Sequence, residues 1–333
     1  MRIEYQPASA IGLDQWDRWQ AMVDAAPALG SPFFAAAFCR LVAGHSPDLE
    51  VAIIQDDGAS IGYFPFHRGR FGGARPLAKG LSDYHGVISS AGVRVDPRAL
   101  LRACRLAAFE FDHIPSVQAA FSPFARRADT SPVMDLGGGF TAYASRLAVK
   151  SDVLARAAAA RRRLERDLGP VAVELQSTDD VLLAKLFALK SAQYRRTGRR
   201  DVVAEPWARA VLTTVFRTRE PQFAGLLSVL RAGPRVLALH LGMRSAKVLH
   251  YWFPAYDREY AQYSPGVILL AELARTAPSL GVETIDLGKG DADYKRRFAT
   301  GAIPLLEGRV ERPSLLAIWR TARRLWRRAR ARR

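Results

Sequence analysis

Apolar and polar positions alternate along this chain in a few clear blocks. Over 49–69, LEVAIIQDDGASIGYFPFHRG sets two β-rich runs on either side of an Asp-Gly dipeptide, the pattern of strand, tight turn, strand. A similar unit returns over 226–245, LLSVLRAGPRVLALHLGMRS, with Ala-Gly-Pro as its turn. A third strand, KVLHYWF (247–253), follows at once, then a loop, a helix and the strand-like VETIDLG (282–288). Strand, strand, strand, helix, strand is a mixed α/β order in which antiparallel hairpins precede one parallel crossover. The recurrence suggests a duplicated domain.

Between the two units the period changes. TAYASRLAVKSDVLARAAAARRRLERDLG (141–169) is rich in Ala, Leu and Arg and closes on Gly169-Pro170, which predicts a long helix or a helix pair with a stop signal. TDDVLLAKLFALKSAQYRRTG (178–198) opens with Thr178 before two aspartates, a favourable start against the helix dipole. Its end, YRRTGRR, gathers four arginines and Tyr194 at a turn. The glycine-rich DLGGGF (135–140) reads as a joint. Domains are therefore expected over 1–140 and 141–311, followed by a tail at 312–333.

Composition bounds the class. A chain of 333 residues suits two domains with real cores, and 49% hydrophobic with 24% charged residues is that of a water-soluble globular protein. No apolar run is long enough to cross a bilayer, and MRIEYQPASA lacks a signal-peptide core, so a cytoplasmic location is expected. Cys39 and Cys104 sit in apolar segments without metal or redox spacing and read as buried thiols. The net charge of +17 is unevenly spread: from Arg312 onward there are nine arginines and no acid. There Leu315, Ile318, Trp319, Ala322, Leu325 and Trp326 fall at helical spacing, predicting a basic amphipathic helix. It suits an anionic membrane surface on the inner face, an RNA backbone, or a partner groove, against the reading of a solvated tail whose apolar stripe packs on the body.

Chemistry concentrates in two late stretches. In AYDREYAQYSPGVILLAEL, Ser264 is a good N-cap and Pro265 suits the first helical position. A helix starting directly off a strand offers free N–H groups to an anion; the competing reading is a plain capped helix. In DLGKGDADYKRRF (286–298), Gly288-Lys289-Gly290 is not a phosphate loop, since Gly-Lys-Ser/Thr is absent, and DLGGGF opens no dinucleotide fold. No His or Cys cluster has zinc spacing, so no metal is expected.

Taken in order, HLGM, YWFPAYDREYAQYSPGVILLAEL and IDLGKGDADYKRRFA resemble the C-terminal half of tandem GNAT acyltransferases, in the Fem-like branch that includes cellulose and exopolysaccharide-biosynthesis acetyltransferase-like proteins. GLSDYHGVI (80–88) is the clearest matching piece of the partner domain. The resemblance implies two GNAT-like domains with a mixed α/β sheet splayed at its centre and an acyl donor in the gap. Acyl-CoA, most simply acetyl-CoA, is the donor it implies, held by Tyr263, Ser264, Gly266 and Val267. The usual Gln/Arg-x-x-Gly-x-Gly/Ala loop is here Gln262-Tyr263-Ser264-Pro265-Gly266, which leaves open the aminoacyl-tRNA donor of Fem-type relatives. The basic stretches ARRRLER and YRRTGRR suit either, because phosphate contacts supply affinity without sequence reading.

Acyl transfer to an amine needs a neutral nucleophile, an oxyanion donor and an acid for the leaving group. Asp83 is the first candidate base, against the reading that it caps its own turn. His240 is the second, against a core histidine. Tyr251 and Tyr263 are candidate proton donors, against simple packing. Tyr84, Tyr194, Asp286, Tyr294 and Lys295 form the expected substrate-binding set, Lys295 meeting an anionic group and Asp286 shaping the Gly288–Gly290 turn. Asp291 and Lys295, four apart, also suit an intrahelical pair. The implied reaction is N-acylation of a small-molecule or cell-envelope precursor. The alternatives are tRNA-dependent aminoacyl transfer and a non-catalytic binding module of polysaccharide synthesis.

Overall fold

The computed structural model describes residues 1–312. The basic helix expected at 312–333 therefore lies, Arg312 apart, outside the described residues. Along the first part of the chain run β1 (Arg2–Pro7), α1 (Leu13–Ala25), α2 (Ala36–Ala43), β2 (Leu49–Asp56), β3 (Ala59–Arg68), β4 (Gly73–Pro76), β5 (Ile88–Ser89), α3 (Pro97–Ala103), β6 (Ala108–Pro115) and β7 (Ala125–Asp135). Then come α4 (Gly139–Ala148), α5 (Val153–Leu168), β8 (Val171–Glu174), α6 (Asp180–Arg196), α7 (Pro206–Arg217), β9 (Arg219–Glu220), β10 (Phe223–Ala232) and β11 (Arg235–Arg244). The last elements are β12 (Val248–Tyr256), α8 (Pro265–Thr276), β13 (Thr284–Asp286), α9 (Asp293–Phe298) and β14 (Gly301–Glu311).

The elements gather into two compact units. The first takes Met1–Ala26, Pro47–Ala128 and the chain from Leu305; the second takes Pro27–Ser46 and Asp129–Pro304. In the first, β1, β2 and β3 pair antiparallel, β3 pairs β4, and β4 runs parallel to β6, which pairs β14. Asp57 and Gly58, both at positive φ, make the expected tight turn between β2 and β3. Phe64, Phe66, Phe109, Phe111 and Leu100 fill its core.

The second unit repeats that logic: β8, β10, β11 and β12 pair antiparallel in that order, β12 runs parallel to β13, and β13 pairs β7. Helices α4, α5 and α8 bury Tyr143, Leu147, Leu164, Ile268 and Leu273 with Leu226, Leu230, Leu249 and Ile285 of the strands. Helix α6 packs on β11 and β12, and α7 on β10. Asp179 caps α6 by accepting from Val181 N at 2.7 Å. Of the long helix or helix pair expected over 141–169, the structure has the pair, α4 and α5, with α5 ended by Gly169 at φ 91°.

A linear boundary at residue 140 falls inside the second unit. The strand before it and the helix after it share one core, since Met134 and Leu136 of the β7 segment pack with Tyr143 and Leu147 of α4. The unit also takes in an early segment that no periodicity announces. Phe33 meets His250 edge-on at 4.9 Å and Trp252 at 5.5 Å, and Ser245 Oγ donates to Gly30 O at 2.7 Å. Cys39 and Cys104 are buried and free, and burial pushes both thiols up, Cys104 to about 12.

Candidate active site

The parallel pair β12–β13 lasts only three residues: Val248↔Thr284, Leu249↔Ile285 and His250↔Asp286. There β13 ends, while β12 runs on to Tyr256 and stays paired with β11 through Leu241↔Phe253 and His240↔Pro254. From Tyr251 onward, one edge of β12 is thus released from β13. A strand edge so released presents N–H and C=O groups to a ligand rather than to a neighbour.

Asp286 turns the chain at that point. Fully buried, it accepts from Ser131 Oγ at 2.5 Å and from Gly288 N at 2.8 Å through Oδ1, and Gly288 takes φ 74°, which favours glycine. Its Oδ2 has no hydrogen-bond partner among the described residues. His250 Nδ1 lies 3.7 Å from Oδ1. The turn delivers α9, whose first turn carries Tyr294 and Lys295. Lys295 Nζ donates to Gly288 O at 2.9 Å and to Lys289 O at 2.8 Å, which draws the lysine back over the turn, while Asp291 lies against Arg296. Tyr143 OH fastens the far end of α9 on Phe298 O at 2.8 Å.

Three aromatic rings, from β11, β12 and α9, meet at Tyr251, the first residue of β12 past its pairing with β13. His240 stacks on Tyr251 with centroids 4.1 Å apart, and Tyr251 meets Tyr294 at 6.5 Å. Neither ring nitrogen of His240 has a hydrogen-bond partner among the described residues. Burial, then the charges of His250 and Lys190, hold its pKa far down, so the imidazole stays neutral. A Cβ on Gly242 would stand 2.5 Å from His240 Cε1 and 2.6 Å from the His250 carbonyl, so glycine there makes room for the stack. Burial raises the Tyr251 phenol well above its usual range and Tyr294 to about 12. Both are neutral O–H donors at physiological pH, with no hydrogen bond to either hydroxyl among the described residues.

The start of α8 corrects one expectation. Ser264 is exposed, sits in the left-handed region at φ 52°, ψ 50°, and makes no side-chain cap. Its carbonyl does the work instead, accepting from Val267 N at 2.9 Å and Ile268 N at 3.2 Å. The reason is backbone direction: the 3₁₀ turn Arg258–Tyr263 runs straight into α8, and a left-handed residue is what reverses the chain between them. Pro265 has no N–H, and the Gly266 N–H has no partner among the described residues. A Cβ on Gly266 would meet only Tyr256 Cδ1 at 3.7 Å, an ordinary contact, so intramolecular packing does not demand glycine there. Val267 packs on the core, and Tyr263 is tied down by donating to Asp167 Oδ2 at 3.1 Å beneath Arg163.

Linear reasoning passed over Lys190. It lies on α6, 7% exposed, with Nζ donating to Pro254 O at 2.9 Å and standing 5.4 Å from the Tyr194 ring centroid. Burial, then Arg199 and Lys295, lower its pKa to about 8. The signal was present: Leu183, Leu186, Phe187 and Lys190 share one helical stripe, and a lysine in an apolar stripe is out of place.

Asp83 and Tyr84 belong to the first unit, the other expected residues to the second. Asp83 Oδ1 lies 3.8 Å from His113 Nε2, and His113 Nδ1 lies 2.9 Å from Asp112 Oδ1. His85, Asp112 and His113 come within metal-ligand range of one another, a grouping invisible in linear spacing. Yet His85 Nε2 already accepts from Asp112 N and His113 N, both at 3.2 Å, so this lone pair fastens a turn rather than waiting for an ion.

Residues 151–296 match the family described as the acetyltransferase (GNAT) domain. Similar solved structures include FemX, at 11% identity with a TM-score of 0.63, covering 96% of this chain and 99% of that one. The C-terminal domain (DUF2156) of a putative lysylphosphatidylglycerol synthetase from Agrobacterium fabrum aligns at 15% identity and TM-score 0.55, over 92% and 95%. A conserved protein of unknown function from Bacteroides thetaiotaomicron aligns at 11% and 0.55, over 92% and 100%. No curated protein matches the chain in sequence. The fold is of GNAT type, and the segment that matches the acetyltransferase domain, residues 151–296, lies within the second unit.

Proposed function

We propose that the second unit transfers an acyl group from acetyl-CoA or a related acyl-CoA to an amine of a cell-envelope or exopolysaccharide precursor. The observation that carries this is the release of β12 from β13 after His250, beside two neutral phenols and a helix start whose Gly266 N–H is open. In this reading the donor's phosphates meet the first turn of α8 and its thioester lies along the released edge. The amine attacks the acyl carbon, the C–N bond forms and the C–S bond breaks. Tyr294, or Tyr251 beside it, gives its proton to the departing thiolate, and the ammonium proton leaves to water. His240 acts as a positioning residue through its stack on Tyr251. The GNAT match favours acyl-CoA; the likeness to FemX supports a Fem-like placement in which aminoacyl-tRNA is the rival donor. The name of the lysylphosphatidylglycerol synthetase relative favours an acceptor at the envelope.

Thermal unfolding with acetyl-CoA, and separately with charged tRNA, tests the donor. A saturating ligand adds about 3 kcal/mol at a hundred times its Kd. Acetyl-CoA is expected to raise the midpoint for wild type and not for Gly266→Val, whose side chain fills the helix start; a rise with tRNA alone transfers the reading to aminoacyl transfer. For residues 312–333, charge alone motivates a proposed contact with anionic membrane from a cytoplasmic location. Among the described residues, no helix is long and apolar enough to cross a membrane. Cosedimentation with anionic liposomes that survives deletion of 312–333 would show the contact to be wrong.

A further inference from the structure

One buried cation has no task in the transfer just described. Lys190 is 7% exposed, and a lysine so placed costs several kcal/mol of desolvation unless a negative charge meets it. Its partners are neutral: the Pro254 carbonyl at 2.9 Å, the Tyr194 ring at 5.4 Å and the Phe253 ring at 6.0 Å. The charges that bear on it are positive, Arg199 beyond the end of α6 and Lys295 on α9, with the neutral His240 of β11 nearby. Among the described residues no carboxylate pairs with it. Pro254 lies in the part of β12 released from β13, so Lys190 is fixed at the site's own strand edge. Of its three N–H donors, one serves Pro254, which leaves two. A fold that gathers cations around a strand edge with no acid against the buried one leaves the negative charge to a ligand.

We propose that Lys190 is a binding residue of this site and that, with Lys295, it seats an anionic oxygen group of the acceptor, a carboxylate or a phosphate. The inference rests on the acyl-transfer reading and narrows it: the acceptor is an amine carrying a negative group, not a neutral amino sugar. A lysine suits either anion, because its ammonium acts as a point charge and does not demand the flat, two-pronged geometry that arginine matches. Anchoring the acceptor by its anion fixes where the amine stands relative to the acyl carbon, which is what converts binding into rate.

Equilibrium binding on the full chain tests this without turnover. Thermal unfolding is followed for wild type, Lys190→Met and Lys190→Arg at one ionic strength set with chloride, with succinate or inorganic phosphate as the probe. At saturating probe a rise of roughly 2–4 °C is expected for wild type and Lys190→Arg and none for Lys190→Met. Succinate acting alone marks a carboxylate, and phosphate acting alone marks a phosphate. Acetyl-CoA is expected to shift all three proteins equally; loss of its shift in Lys190→Met alone would give the anion to the donor and overturn the acceptor assignment. Equal responses of Lys190→Met and wild type to the probe, or no response in wild type, overturn the seat itself. An acetyl-CoA shift absent from all three beside an intact anion shift would instead refute the acyl-CoA reading and leave the seat standing. Wild type carries the test without substitution as well: succinate is fully ionised from pH 7 to 10, so its effect is expected to weaken over that range as Lys190 loses its proton, and an effect unchanged from pH 7 to 10 counts against Lys190.

Discussion

At the scale of single residues, the chain keeps groups whose burial is unfavourable to folding. Lys190 has its folded pKa near 8, below the unfolded value of about 10.4. Below pH 8 both states hold the proton and the penalty is constant; between about 8 and 10.4 the unfolded chain binds more protons, so stability rises with pH through that window. Replacing Lys190 by Met removes the penalty, so this variant is expected to be more stable than wild type at pH 7 by about 1–3 kcal/mol, a gap that narrows above pH 8. Denaturant midpoints across pH 6–10.5 check it. A structural lysine would give the opposite sign. Tyr294→Phe is expected to leave stability nearly unchanged, because no hydrogen bond to its hydroxyl is lost, while kcat falls roughly 10²-fold with donor binding intact. Steady-state kinetics beside a donor titration separate the two effects. Tyr294 and Lys295 were legible in DLGKGDADYKRRF as a polar cluster after a strand. Lys190 was legible only as a misplaced charge in an apolar stripe, since its neighbours, Pro254 and Lys295, come from far along the chain.

At the scale of elements, the site depends on where pairing stops. β-rich apolar runs on either side of the Ala-Gly-Pro turn predicted β10, β11 and β12, and β10 and β11 are buried along nearly their whole length, as strands covered on both faces are. Those runs did not announce that β13 ends at Asp286 while β12 continues to Tyr256; pairing partners are not written in a strand's own pattern. The helix start at Ser264–Pro265 was equally readable in residue type and misleading in detail. Serine at an N-cap position suggests a side-chain bond, but the tight turn before it forces a left-handed backbone and hands the capping to the carbonyl. Gly242 marks the other hidden constraint. Gly242→Ala sets a Cβ against the His240 ring and the His250 carbonyl, and is expected to cost about 1–3 kcal/mol and to move the ring off Tyr251. Near-ultraviolet circular dichroism and a denaturation curve of that variant read both consequences.

At the scale of the whole molecule, the units are not the two halves of the sequence. The second unit needs Pro27–Ser46, whose Phe33 packs on His250 and Trp252, and it needs the end of β7 as partner for β13. A chain beginning at Thr141 lacks both, so it is expected to lose cooperative unfolding and to aggregate through the exposed edge of β13. Size-exclusion chromatography and calorimetry of that fragment decide the matter; a monodisperse, cooperatively unfolding fragment would show the early segment to be dispensable. The sequence by itself determined the mixed α/β class, the hairpins, the helix α8 after β12 and the polar turn of residues 286–298, because periodicity and turn chemistry act within a few residues of one another. Only the tertiary structure decided that β12 parts from β13 after His250, that residues 27–46 join the second unit, and that Lys190 reaches the released edge. Each of those depends on groups distant in the chain being brought together by burial, and no local pattern records the meeting.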